Sequence, residues 1–300
     1  MQQYTGFGLK IESEIEFPEL LYSTFTKADV TITINDLSQQ EATAVESSDD
    51  EFFFEVKGVA RYFASHGKSM IIDPENKSVN PRSIRLYALA TVMAAILLQR
   101  QMIPFHASAI SVDNKLILIS GESGAGKSTV LTGLILRGYE VFSDDVVVLS
   151  QPEPDGISAF ASYPMIKLWS DSITTIAHPQ FSDCSFRIRH DLDKYGFFFH
   201  DTFITQARPV STLIILKKGE QPECSMQQIH GPEAFAEAYR QLYRPSLIRG
   251  KEQNAICFKT ISALVKSVNI FEIIRPTTCH PEQLISFIEQ ELLQPAACRV

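Results

Sequence analysis

Apolar and polar positions alternate through most of the first 75 residues, in the stretches GFGLKIESEIEF, DVTITI and DEFFFEVKGVARYFASHGKSMIID. A period of two, with β-branched and aromatic residues on one side, predicts strands with a single covered face. Between the second and third stretches, DLSQQEATAVESSDDE is polar and acidic and reads as a solvated loop. The pattern changes at NPRSIRLYALATVMAAILLQRQ, where apolar residues occupy most faces of a helix that Asn80 can cap and whose first turn accepts Pro81. Its longest apolar run, Leu86 to Leu98, falls short of the roughly 20 residues a membrane span needs, so a buried core helix is expected.

From Pro104 onward, short apolar runs alternate with helical periods. KLILIS, EVFSDD and VVVLS read as strands, and STVLTGLILRG reads as a helix with Val130, Leu131, Leu134 and Ile135 on one side and Gly138 as its stop. MIKLW, GFFFHDTF and STLIILKKG predict further strands, and PEAFAEAYRQLY an amphipathic helix. ISALVKSVNIFEIIR reads as a helix or as a helix followed by a strand, and PEQLISFIEQELLQ as a closing helix entered at Pro281. The expected fold class is α/β, with a β-rich N-terminal region over residues 1–78 and a nucleotide-binding body over residues 79–300.

Composition narrows the partners. A chain of 300 residues that is 45% hydrophobic can bury a substantial core. A net charge of -8 argues against nucleic-acid and membrane partners, which call for clustered Lys and Arg. The five cysteines are scattered and never spaced as C-x-x-C, and no basic segment followed by an apolar one opens the chain. Reduced thiols in a cytoplasmic protein, without a zinc site, are the expectation.

Residues 105 to 145, FHASAISVDNKLILISGESGAGKSTVLTGLILRGYEVFSDD, carry the candidate chemistry. GESGAGKS fits the phosphate-gripping pattern G-x-x-x-x-G-K-[ST], with the required strand before it and helix after it. Over Gly121, Glu122, Ser123, Gly124, Ala125 and Gly126, backbone N–H groups can curl around phosphate oxygens where a Cβ would obstruct. Lys127 reaches the β- and γ-phosphates, Ser128 offers its hydroxyl to Mg²⁺, and Thr129 continues a helix start whose dipole favours anions. An ordinary glycine-rich turn is the bland alternative.

Helix and turn occupy about one right-handed crossover before EVFSDD, which predicts a strand in the same parallel sheet, near the P-loop strand, with its end at the phosphates. Asp144 and Asp145 stand there. Two carboxylates beside a triphosphate repel it unless Mg²⁺ lies between, so one aspartate can hold the metal and the other can accept a proton from an attacking hydroxyl. The alternative is that SDD caps a turn. His106, just before the P-loop strand, is either near the acceptor or a satisfied structural residue.

The run "HASAI... GESGAGKST... G... SDD" resembles the catalytic domain of the HPr kinase/phosphorylase family, bacterial P-loop kinases that phosphorylate a serine of a protein. The resemblance covers about residues 104 to 150. It implies an HPr-kinase-type body, ATP and Mg²⁺ as cofactors, His106 as the family's histidine before the P-loop strand, and Asp144 as the base, which leaves Asp145 with Ser128 on the metal. An arginine-and-glycine signature that follows the aspartate pair in the bifunctional enzymes is not found, which puts the reverse phosphorolysis in doubt. The opening YTGFGLKIESEIEFPEL is similar instead to stand-alone tailoring kinases, including those that phosphorylate the C-terminal serine of lasso-peptide precursors.

Charge on a transferring phosphoryl group calls for cations, and Lys167, Arg189, Lys194 and Arg244 are candidates, each also readable as a surface charge. The aromatic run YGFFFHDTF, residues 195 to 203, reads as a core strand or as an edge that accepts an extended peptide. A guanine-reading pattern, Thr26 to Asp29, lies before the P-loop rather than after it, so adenine is the expected base. The expected activity is γ-phosphoryl transfer to a serine of a peptide or small protein. A small-molecule kinase, or a nucleotide-dependent assembly or switch factor, is the rival reading.

Overall fold

The computed structural model describes residues 1–38, 49–151, 154, 156–189 and 191–293. Part of the predicted acidic loop, the end of the closing helix and Cys298 lie outside the described residues. Among them the first segment builds a seven-stranded sheet in the order Leu21–Tyr22, Gln2–Gly6, Leu9–Ser13, Val30–Ile34, Ser69–Pro74, Ala60–Ser65 and Glu51–Val56. The chain reverses at Phe7 and Gly8, whose φ of 58 and 74 give the twist that a two-residue hairpin needs. A side chain on Gly8 would run into the Phe160 ring, so glycine is required there. Two further reversals split the third alternating stretch into three antiparallel strands.

The helix Pro81–Gln99 lies on this sheet, started by Asn80, whose side chain accepts from the Arg82 N–H at 2.9 Å. Its middle, Ala88–Val92, is a π-helical turn. The expectation that this segment is too short to span a bilayer is corrected: by length and composition it is long and apolar enough. What marks it as a core helix is packing, since Val92, Met93 and Ile96 join Tyr4, Ile11, Tyr62 and Ile72 in one buried cluster. Arg85 and Glu19 form a buried ion pair at 2.9 Å across the same contact. Val148, Tyr163 and Met165 from the later chain complete that cluster.

The second sheet has nine strands among the described residues. Its centre is three parallel strands, Lys115–Gly121, Arg208–Gly219 and Asn269–Pro276. Alternate residues of the first two face opposite cores: Leu116, Leu118, Leu213 and Ile215 one side, Ile117, Ile119, Ile214 and Leu216 the other. The helices Lys127–Leu136 and Pro281–Ile288 cover the second face, and Gly231–Arg240 and Lys251–Ser267 cover the first. This is a mixed α/β fold with helices on both faces of a largely parallel centre.

Two expectations need adjustment. The strand Glu140–Ser143 lies in the same sheet and parallel to Lys115–Gly121, but Ala107–Val112 runs antiparallel between them. A two-residue reversal at Asp113 and Asn114, with φ of 51 and 59, turns that intervening strand directly into the P-loop strand. The ambiguous ISALVKSVNIFEIIR is the end of a helix followed by a strand, and the helix begins ten residues earlier than the sequence stretch, at Lys251. Only Cys257, Thr260, Ile261 and Leu264 are buried along it, so its polar first turns carry little apolar signal.

Candidate phosphate and acceptor site

The P-loop strand ends at Gly121, whose φ is 139 and where a Cβ would stand 2.3 Å from the Leu216 carbonyl oxygen. Only glycine fits so close to a neighbouring backbone. Gly124 and Gly126 also have positive φ, and the helix Lys127–Leu136 follows at once. The Lys127 ammonium donates to the carbonyls of Gly121 at 2.8 Å and Glu122 at 3.2 Å. Burial lowers its pKa against the pull of Asp145 and Asp144.

Asp144 and Asp145 do separate jobs. The Asp144 carboxylate is 2% exposed and accepts three hydrogen bonds: one oxygen accepts from Ser108 at 2.7 Å and Ser128 at 3.1 Å, the other from the Lys167 N–H at 2.9 Å. Asp145 has a φ of 70, which swings its side chain out of the strand into a cleft. There it pairs with the Lys167 ammonium at 2.8 Å. Burial alone would raise its pKa, but Lys167, with Lys194 and His106, outweighs this and holds the carboxyl well below the usual range. Lys167 is itself lifted well above its ordinary value, because Asp145 beside it outweighs its burial. The oxygen that meets Ser128 therefore belongs to Asp144, whereas the sequence expectation paired Ser128 with Asp145.

His106 is half-buried at the start of the intervening strand. Its Nδ1 lies 2.8 Å from the Asp145 carbonyl oxygen, and since a carbonyl can only accept, that partner assigns the proton to Nδ1 and leaves Nε2 an acceptor in the neutral ring. Burial lowers its pKa, against Asp145, so the neutral ring is the form at pH 7.

Two clefts flank the glycine loop. The smaller, about 180 Å³, is bordered by Lys127, Ser128, Thr129, Asp145, Trp169 and Lys194. The larger, about 650 Å³, opens on the side of Lys217, Lys218, Glu237, Arg240 and Gln241. His106 borders both. Of the four candidate cations, Lys167 and Lys194 are at the site. Arg189 bonds Asp191 and Arg244 lies over the Tyr243 ring at 5.6 Å, and neither is among the residues that line these two clefts.

The aromatic run is not an open edge. Its strand Lys194–Phe198 pairs with Met165–Trp169 on one side, and on the other the N–H groups of Gly196 and Ile188 bond the carbonyls of Phe186 and Lys194. Asp29 of the guanine-like pattern accepts from the Lys10 N–H, a local structural contact.

Sequence reasoning missed three residues. Gln241 accepts from Ser120 at 2.9 Å and from the Gly121 N–H at 3.1 Å, fixing the first residue of the loop. Arg275 donates to the Ala125 carbonyl at 2.9 Å, and the Lys218 ammonium lies beside Gly124. The cations had a signal: STLIILKKG and FEIIRP end in basic residues at the carboxyl ends of parallel strands, where α/β sheets bind anions. Gln241 had none, since its partners lie 120 residues away.

Two hard oxygen donors 3.1 Å apart at a helix start, the Ser128 hydroxyl and an Asp144 carboxylate oxygen, fit Mg²⁺ in the company of phosphate oxygens. Against known proteins, no protein-family model matches the chain. It is similar to an HPr kinase/phosphorylase of Mycoplasmopsis pulmonis (strain UAB CTIP), 32% identical over 97 residues, which is 31% of this chain and 31% of that relative's length. It is also similar to a solved Hpr(Ser) kinase/phosphatase from Coxiella burnetii, over 62% of this chain and 93% of that one, at 15% identity and with a TM-score of 0.31.

Proposed function

We propose that the protein is an ATP- and Mg²⁺-dependent kinase of HPr-kinase type that transfers the γ-phosphoryl group to a serine hydroxyl of a peptide or small protein, in the cytoplasm. One observation carries this reading: Ser128 and Asp144 meet at 3.1 Å at the loop while the ionised Asp145 stands next to them in the cleft. A protein that only binds nucleotide has no need of that second carboxylate. The sequence similarity to an HPr kinase/phosphorylase points the same way.

In this reading Ser128 and Asp144 would hold Mg²⁺, which would offset the negative charge of the phosphates. Lys127 donates to the β- and γ-phosphates, and the Gly121 to Gly126 backbone cradles them. Asp145, rather than Asp144, receives the acceptor hydroxyl. With its pKa depressed by Lys167 it is a weak base, so its main work is to aim the hydroxyl along the line of transfer. That suffices where the transition state is loose and asks for little proton removal before the bond to phosphorus forms. The neutral His106 offers Nε2 at the junction of the two clefts as a second acceptor for the hydroxyl proton. A peptide acceptor enters by the larger cleft, and the C-terminal serine of a lasso-peptide precursor is the acceptor suggested by the opening segment.

The test is transfer of label from γ-labelled ATP in the presence of Mg²⁺ and candidate acceptor peptides. Labelled phosphoserine supports the reading. Label on a metabolite, or only as free phosphate, overturns it.

A further inference from the structure

We propose that Trp169 is the platform on which the purine base of the nucleotide stacks, so that the nucleotide runs along the smaller cleft, from the aspartates to the exposed Trp169 ring. The inference rests on reading the glycine loop as a triphosphate grip and adds to it the recognition of the base.

Trp169 is the chain's single tryptophan, and it is 48% exposed at the end of the strand Met165–Trp169. So large an apolar ring facing water costs free energy unless something covers it. Its position gives the covering group. Residues two apart on a strand share a face, so Trp169 stands on the same side as Lys167, about 7 Å further along. Lys167 holds Asp145, which marks the end of the cleft where transfer occurs. Trp169 borders the same cleft together with Thr129 and Ser172, whose hydroxyls lie 3.3 Å apart.

The order of groups along the grip fixes the direction of the ligand. Lys127 serves the β- and γ-phosphates, so with the γ end at the aspartates, the α-phosphate and sugar run past Thr129. The next group outward is the base, and the next surface is the Trp169 ring. The Lys194 ammonium sits 5.5 Å from the centre of that ring, on the strand opposite. Lys194 is also close enough to Asp145 and Lys127 to bear on the charge of both. A cation between an aromatic ring and a phosphate grip suits a nucleotide, whose base and phosphates need those two chemistries side by side. The larger cleft lacks this arrangement, since beside the loop it presents the charged Lys217, Lys218, Glu237 and Arg240.

The experiment compares ATP with inorganic tripolyphosphate, both with Mg²⁺, by calorimetric titration of the full chain and its Trp169→Ala and Trp169→Phe variants. Base stacking on an aromatic is worth enough that Trp169→Ala should weaken ATP about tenfold or more, while tripolyphosphate changes less than about twofold. Trp169→Phe should restore most of the loss. In the wild type, tryptophan emission should change on adding ATP and stay constant on adding tripolyphosphate. An ATP affinity indifferent to Trp169→Ala, or an equal loss for both ligands, overturns the inference while the phosphate grip stands. Failure of the wild type to bind either ligand overturns the grip itself, and the inference with it.

Discussion

At the scale of single residues, the two aspartates differ because Asp144 is buried among three hydrogen-bond donors while Asp145 reaches into the smaller cleft. Asp144→Asn keeps the shape but turns one oxygen into a donor facing Ser108 and Ser128 or the Lys167 N–H. It is expected to raise the Mg²⁺ concentration needed for half-maximal rate. Asp145→Asn is expected to lower turnover by about 10² to 10⁴ with MgATP affinity retained. Steady-state rates over a Mg²⁺ series, with binding titrations alongside, separate the two; a turnover loss confined to Asp144→Asn would restore the sequence expectation that Asp144 is the base.

His106 makes a second residue-scale prediction. Its pKa in the fold lies below the ordinary 6.5, so as pH falls from 6.5 the unfolded chain takes the proton before the native one does. Stability therefore falls with pH through that window and levels off below the folded value. His106→Asn, which keeps a donor for the Asp145 carbonyl, should lessen the drop in denaturation midpoint between pH 7.5 and pH 5. An unchanged drop would mean that His106 titrates normally.

At the scale of elements, the loop and the strands that carry the site were legible because their chemistry is local. Glycine spacing, the apolar strand before it and the helix after it lie within a few residues of each other, and so does SDD after its strand. Sheet order was only partly legible: the sequence placed EVFSDD in the same sheet near the P-loop strand, yet did not place Ala107–Val112 between the two. That insertion is a long-range pairing, and periodicity reports a face, never a neighbour. Gln241 was illegible for the same reason. The strand-to-loop junction yields a sharp prediction, because Gly121 meets the backbone of Leu216 rather than a movable side chain. Gly121→Ala should abolish measurable MgATP binding in a titration while the helices persist by circular dichroism. Retained affinity would show that the junction tolerates a Cβ.

At the scale of the whole molecule, the N-terminal sheet and the body that carries the glycine loop share an apolar core. Tyr163 and Met165, where the chain passes from the strand Ser158–Ala161 into the strand Met165–Trp169, pack with Tyr4, Ile11 and Met70. The Phe7 N–H donates to the Ser162 carbonyl at 2.6 Å, and Ser162 itself bonds Ser143 just before the aspartates. We propose 1–78 as a region that cannot be removed cleanly, although the alternation of its sequence marks it off so plainly. A single cooperative transition is expected in calorimetry and in denaturant, monitored by far-ultraviolet circular dichroism and by Trp169 emission together. Two separated transitions would show that the regions fold independently.

The reversal at Asp113 and Asn114 lies at the end of its hairpin remote from the glycine loop, and it borders neither cleft. Yet it decides which residue stands opposite which, Val112 against Lys115 through to Ala107 against Ser120. One added residue there would slip the pairing, and a slip by one exchanges the two faces of a strand. Ser108 would then turn its hydroxyl away from Asp144, and His106 would leave the clefts. The alignment of the candidate site is thus held in trust by a tight bend at the opposite pole of the sheet, far from every residue that lines the clefts.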